Sequence, residues 1–221
     1  ELAKRESDLA KSTSKIIEST SKQAVEAGAK EKTPAQQAQK ESRPWQGGFT
    51  GRYRFGPEKA PIRIVMMSDY QCIDCYRIEN DVKAVLDKYK DVVSLSAKHF
   101  PMCKDCNDHF QNNNMHPNAC WAARAAEAAG ILKGNNGFWQ MHFWLFDHRG
   151  TFTNEELQKG LTELGYSPQE FINVMTSAET LRRVKGDIEE GIWLGLHYTP
   201  MIFINGVELF GVFAPNAVGR A

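Results

Sequence analysis

No stretch of the chain is apolar over the twenty or so residues that a membrane-spanning helix requires. The N-terminus also lacks the basic-then-apolar leader of a secretory signal. An excess of one charge is missing too. The 27 Lys and Arg balance 27 Asp and Glu, so nothing points to a polyanion partner, nucleic acid included, or to an acidic substrate. No Gly-rich phosphate loop and no carboxylate pair stands out. Cysteine is scarce, five in 221 residues, and the count is odd, so at least one thiol is free, metal-bound or paired outside the chain. A chain this long does not need a dense disulfide framework, and two Cys-x-x-Cys pairs suit redox or metal chemistry better. It begins at Glu1, which we read as a processed or excised segment whose address has been removed.

Residues 1–44 differ from the rest of the chain. They are rich in Ala, Lys, Glu, Ser and Gln and contain no aromatic residue. Leu2, Leu9 and Ile16 recur every seven residues, but Arg5, Ser12 and Ser19 occupy the companion seam, so a coiled coil is poorly supported. We expect a solvated helical or flexible arm with a linker between Pro34 and Pro44. The composition of a packed domain covers residues 45–221.

Within that domain "TGRYRF" alternates like a half-buried strand, and "IRIVMMS" reads as a buried strand ending at Ser68. Ile78, Val82, Val85, Leu86 and Tyr89 then share one face of a helix, and "VVSLSAKHF" is the next strand. Residues 102 to about 196 look helical. "HPNACWAARAAEAAGIL" is Ala-rich, Thr153 and Glu156 form a capping box, and Ser167-Pro168 starts a further helix, followed by one over about 178–196. "MIFI" and "VELFG" flank an Asn205-Gly206 hairpin turn, and "APNAVGRA" starts a last helix. Trp139, Phe143, Trp144 and Phe146 have core spacing, and His142 and His148 read as ordinary surface or interface histidines.

The stretch "SDYQCIDCYRIE" places Cys72 where a strand gives way to a helix. Unpaired N–H groups and the positive dipole end stabilise a thiolate there, which makes Cys72 the nucleophile. Cys75, one turn further on, can close the disulfide. A plain structural disulfide and half of a zinc site remain open on these residues alone. Far along the chain Thr199-Pro200 stands directly before a buried strand, where a cis proline is often needed.

Three ordered motifs, "FGPEKAPIRIVMMSDYQCIDC", "HPNACWAARAAEAAG" with "GFWQMHFWLF", and "YTPMIFINGVEL", resemble the DsbA-like branch of the thioredoxin superfamily over about residues 50–215. The resemblance implies an α/β, thioredoxin-like fold with an inserted helical domain over about 102–180. It further implies a protein dithiol–disulfide oxidoreductase that needs no organic cofactor. Cys72 would be its nucleophile, Cys75 its resolving cysteine, and Thr199-Pro200 a cis-proline loop that meets protein thiol or disulfide substrates. It also implies an extracytoplasmic location, periplasmic or membrane-tethered. Some relatives work with membrane redox partners of the vitamin K epoxide reductase type.

Two positions depart from the family pattern. Ile73-Asp74 stands between the cysteines where a proline commonly comes first. A carboxylate at Asp74 is expected to disfavour the Cys72 thiolate and give a milder potential than the most oxidising members have. Six residues before Cys72, where thioredoxin-like proteins often keep a buried carboxylate, stands Met66, and Asp69 is not assumed to fill that role.

A second cluster lies in "CKDCNDHFQNNNMHPNAC". Cys103, Cys106, His109, His116 and Cys120 supply enough thiols and imidazoles for a tetrahedral structural zinc site. Haem attachment is excluded because Asn107, not His, follows Cys106. The alternatives are a disulfide from Cys103 or Cys106 to Cys120 with the third thiol buried, or an electron relay to Cys72 and Cys75. A structural disulfide or metal clamp is favoured over the relay. Function in the rival reading is that of a metal-binding or chaperone-like module that uses Cys103, Cys106 and Cys120.

Overall fold

The structure is a computed structural model and describes residues 50–214 and 216–221. The expected N-terminal arm, residues 1–44, lies outside the described residues. The element order is β1 (Ile62–Ser68), α1 (Ile73–Lys88), β2 (Val93–His99), α2 (Ala119–Asp147), α3 (Asn154–Glu163), α4 (Pro168–Met175), α5 (Ala178–Trp193), β3 (Met201–Ile204), β4 (Val207–Glu208) and α6 (Ala217–Arg220). The sheet order is β2-β1-β3-β4. β1 and β2 run parallel, from Ile62 opposite Val93 to Ser68 opposite His99, so their connection has to cross over, and α1 provides the crossover. β3 runs antiparallel to β1, with Met67 opposite Met201, and β4 closes the hairpin at Asn205-Gly206.

β1 is apolar from Ile64 to Met67 because both of its faces are covered there. With a period of two, Ile64 and Met66 face a core shared with Ile78, Val82 and Leu86 of α1 and with the Ala-rich first half of α2. Val65 and Met67 face Val184 and Ile188 of α5, together with Phe100 and Phe203. Helices α2, α3 and α4 form the helical segment between β2 and β3, and α5 returns to the sheet. α2 is broken at Lys133 and at Gly134, whose φ of 64° suits a residue without a Cβ. The capping box at Thr153 and Glu156 forms as expected, Thr153 N–H donating to Glu156 at 2.7 Å and Glu156 N–H to Thr153 Oγ1 at 3.1 Å.

Three expectations need correction. "TGRYRF" is not a strand and pairs only at Phe55 with Leu95. Its alternation has another cause: Tyr53 stacks on Phe138 at 4.3 Å, Phe55 packs edge-on against Trp139, and Arg52 reaches inward. The second hairpin strand shrinks to Val207–Glu208. His142 is not a surface residue. It is buried, with Nδ1 2.9 Å from the Tyr70 hydroxyl and Nε2 3.1 Å from Glu79.

Arg52 anchors a buried charge cluster between α2, α5 and β2. Its guanidinium donates to Glu127 at 2.8 Å and to Asp187 at 2.6 Å, and Asp187 also accepts the His99 amide at 3.0 Å. Lys98 adds a second cation 3.7 Å from Asp187 and 2.5 Å from Glu190. Burial alone would raise the Glu127 pKa, but His99 and Arg52 overcome it and hold this carboxyl at about 2, against an ordinary 4.5.

Removing one partner of a buried pair leaves the other charge uncompensated. Arg52→Ala is therefore expected to lower the unfolding free energy by about 3 kcal/mol or more, read from the urea midpoint. The depressed Glu127 pKa also sets a sign. Its contribution is complete above about 4.5 and is lost as the pH falls toward about 2. The melting temperature should drop across that window, and the drop should shrink in Glu127→Gln.

Candidate active site

Cys72 is the N-cap of α1. Its backbone carbonyl accepts the Tyr76 amide at 3.1 Å, and its Sγ accepts the Cys75 amide at 3.4 Å, satisfying a helix-end donor that would otherwise be unpaired. Across the site the Cys72 thiol donates to the Thr199 carbonyl at 3.5 Å. The Thr199–Pro200 peptide is cis, directly before β3. Strand pairing between β1 and β3 thus places the two parts beside each other although 127 residues separate them.

The two thiols, both unpaired, are unequal. Cys72 is lowered from 9.0 to about 6, chiefly by a hydrogen bond from Cys75, against the opposing cost of burial, with help from the Cys75 and Asp74 amides and from Thr199. Cys75 is wholly buried, and burial, with the neighbouring Cys72 sulfur, pushes its thiol well above the usual range. The expected effect of Asp74 is corrected. Its half-exposed carboxylate points to Arg77 at 3.4 Å, while its backbone amide is among the groups that lower Cys72.

Met66 is a core residue of β1, and the buried carboxylate beside the cysteines belongs to Asp69. Its Oδ1 accepts the Gln71 amide at 2.7 Å, and its Oδ2 accepts the Met102 amide at 2.8 Å and lies 2.8 Å from His116 Nδ1. Its backbone holds both cysteines: the Asp69 carbonyl accepts the Cys72 amide at 3.1 Å, and the Asp69 amide donates to Cys75 Sγ at 3.5 Å. Sequence reasoning missed the pairing of Asp69 with His116. Both residues were visible, but 47 positions separate them and no local spacing connects them.

The second cluster resolves differently from a zinc site. Cys106 and Cys120 form a disulfide, which takes two of the three thiolates. Cys103 stays free and buried, its thiol donating to the Pro117 carbonyl at 3.5 Å. His116 is engaged by Asp69, while His109 lies on the short 3-10 turn Asp108–Phe110. Cys103, Cys106, His109, His116 and Cys120 therefore do not assemble into a metal group. Among the described residues the one trio whose ligand atoms lie within 4.8 Å is His99, Glu127 and Asp187, and Arg52 and Lys98 already pair with its two carboxylates. The reading as a metal-binding module on Cys103, Cys106 and Cys120 loses its ligand set.

A thiolate-prone cysteine at a helix N-cap, a second thiol buried one turn further on and a cis proline across from them thus lie together. Residues 63–220 match the family model of the DSBA-like thioredoxin domain, and the chain belongs to that family. Solved structures with the same fold include DsbA2 from Pseudomonas aeruginosa, 22% identical with a TM-score of 0.61 over 80% of this chain and 94% of that one. BdbD from Bacillus subtilis is 17% identical, with a TM-score of 0.62 over 79% and 96%. Curated relatives are named Na(+)/H(+) antiporter NhaA 1. The protein of Mycolicibacterium vanbaalenii is 30% identical over 77% of this chain, and that of Mycolicibacterium gilvum 29% identical over 75%. The chain spans about a quarter of the length of these relatives (25% in both), so their transport name describes a longer protein. Among the described residues no helix is long and apolar enough to cross a membrane.

Alkylation of the dithiol form should show this asymmetry. Cys72 is expected to react with a half-maximal rate near pH 6, and Cys75 at least about a hundredfold more slowly at neutral pH. Mass mapping of the labelled cysteines across a pH series checks both.

Proposed function

We propose that this domain exchanges disulfides with protein thiols through Cys72 and Cys75. The observation that carries the reading is the Cys72 sulfur itself, lowered to about 6 and facing the Thr199 carbonyl at the cis proline. In the oxidising direction a substrate thiolate attacks Cys72 Sγ of the Cys72–Cys75 disulfide. The bond's electron pair moves to Cys75, which is protonated because its burial disfavours the thiolate. The second substrate sulfur then attacks the substrate sulfur of the mixed disulfide, releasing Cys72 as a thiolate and leaving an oxidised substrate and a dithiol enzyme. The loop at Thr199-Pro200 offers backbone for an extended substrate segment to lie beside the mixed disulfide.

The stabilised thiolate favours the dithiol form, and with it disulfide donation, over the milder potential expected from Asp74. The Cys106–Cys120 disulfide supports an extracytoplasmic, oxidising setting. A donor of this kind has to be reoxidised, and we assign that step to a membrane redox partner of the vitamin K epoxide reductase type. No organic cofactor and no structural zinc enters the scheme.

Cys72→Ser should reduce oxidation of a reduced protein substrate to the uncatalysed rate, and Cys75→Ser should accumulate a mixed disulfide through Cys72, seen as a reductant-sensitive adduct by mass. Oxidation that persisted in Cys72→Ser would overturn the proposal.

A further inference from the structure

We propose that His116, oriented by Asp69, is a positioning residue for Cys72, its imidazolium stabilising the thiolate that exchange releases. This rests on the exchange reading of Cys72 and Cys75 and adds a group outside the Cys-x-x-Cys and Thr199-Pro200 motifs.

The geometry begins at Asp69. Its carboxylate gathers the Gln71 amide, the Met102 amide and His116 Nδ1 at 2.7, 2.8 and 2.8 Å, while its backbone contacts Cys72 and Cys75. The two amides need only an acceptor, and any neutral carbonyl would serve. A histidine on the oxygen that also takes the Met102 amide adds charge. With Nδ1 taken by a buried carboxylate, Nε2 is the ring's second donor. His116 is only partly buried, so solvent can exchange its proton. Burial lowers the His116 pKa, but the hydrogen bond and charge of Asp69, together with the charge of Cys72, outweigh it and the net direction is upward. Asp69 joins the ring to the site, holding His116 Nδ1 at 2.8 Å through its carboxylate and the Cys72 amide at 3.1 Å through its carbonyl.

The titratable groups around this pair come from each segment packed on it. Asp69 and Cys72 act directly on the imidazole. Cys75 hangs on the Asp69 amide. Cys103 feels the charges of both Asp69 and Asp105 from the 102–118 loop. In the proposed role the protonated ring, paired with the Asp69 carboxylate, also offsets the charge of the Cys72 thiolate. It therefore acts when the bond between Cys72 and a substrate sulfur breaks and its electron pair returns to Cys72. No proton is consumed in that step, because the imidazolium keeps its own and the charge is met in place. A stabilised thiolate stabilises the reduced protein, so loss of the imidazolium should make the disulfide harder to reduce.

The test uses the full chain. In His116→Gln, alkylation of Cys72 at pH 6 should slow about fivefold, the loss of thiolate that a one-unit rise from about 6 produces. The exchange constant with glutathione should shift about tenfold toward the disulfide, equivalent to about 30 mV. His116→Lys, which keeps a cation, should restore most of the rate and flatten the histidine limb of the pH profile. A structural role alone would move the melting temperature and leave both readouts in place. If His116→Gln fails to fold, the imidazole pKa of His116 in the wild-type chain, followed by NMR, should fall when the Cys72–Cys75 disulfide forms and the thiolate disappears. An unchanged Cys72 profile in folded His116→Gln, or an imidazole pKa indifferent to the redox state, would overturn the proposal. Both readouts use small reagents, so a failure to oxidise protein substrates would count against the exchange reading and leave this result separate.

Discussion

One carboxylate holds the site together. Asp69 sits at the end of β1, and its three hydrogen bonds tie the turn into α1, the segment after β2 and the loop that enters α2. Each of those segments leaves a backbone amide or an imidazole in a place with little water. A buried carboxylate is stable there only if such donors surround it, and the donors are satisfied only if it is present. The mutual requirement fixes the turn Asp69–Cys72, and so the direction in which α1 starts. With that direction set, the Cys75 amide in the first turn of the helix points at Cys72 Sγ rather than at solvent.

The chemical contrast between two cysteines three residues apart is a matter of position on one helix. Cys72 caps it and collects amide donors, whereas Cys75, one turn deeper, lies in the core with Ile78, Val82 and Met66. The same residue type is driven in opposite directions by donors in one case and desolvation in the other. In the exchange proposed above, attack goes through Cys72, and Cys75 closes the bond from beneath.

What the chain reveals in one dimension is what depends on neighbours in sequence. The strand–helix passage at Cys72, the capping box at Thr153 and the Asn205-Gly206 turn arise from local period and turn chemistry, and each forms as read. Arg52, Glu127 and Asp187 belong to three distant segments, so nothing local announces their cluster, and the aromatic alternation at Tyr53 and Phe55 imitated a strand. Asp74 misled because its side chain was considered and its amide was not. The 103–106 spacing suggested a metal half-site, yet the bond that forms skips Cys103 and joins Cys106 to Cys120. Spacing along the chain does not show which sulfur faces which.

The Cys106–Cys120 bond closes the loop that carries His116. This chain consequently holds two cysteine pairs, Cys72 with Cys75, to which we assign the exchange, and Cys106 with Cys120, which shapes its surroundings, with Cys103 as an additional thiol beside the second. Strong reductant opens both. A redox titration carried too far therefore counts four electrons where the reaction uses two, and its midpoint belongs to a protein whose 107–119 loop has lost its clasp. Poising the solution so that only Cys72 and Cys75 respond is the condition under which the working centre has a potential of its own.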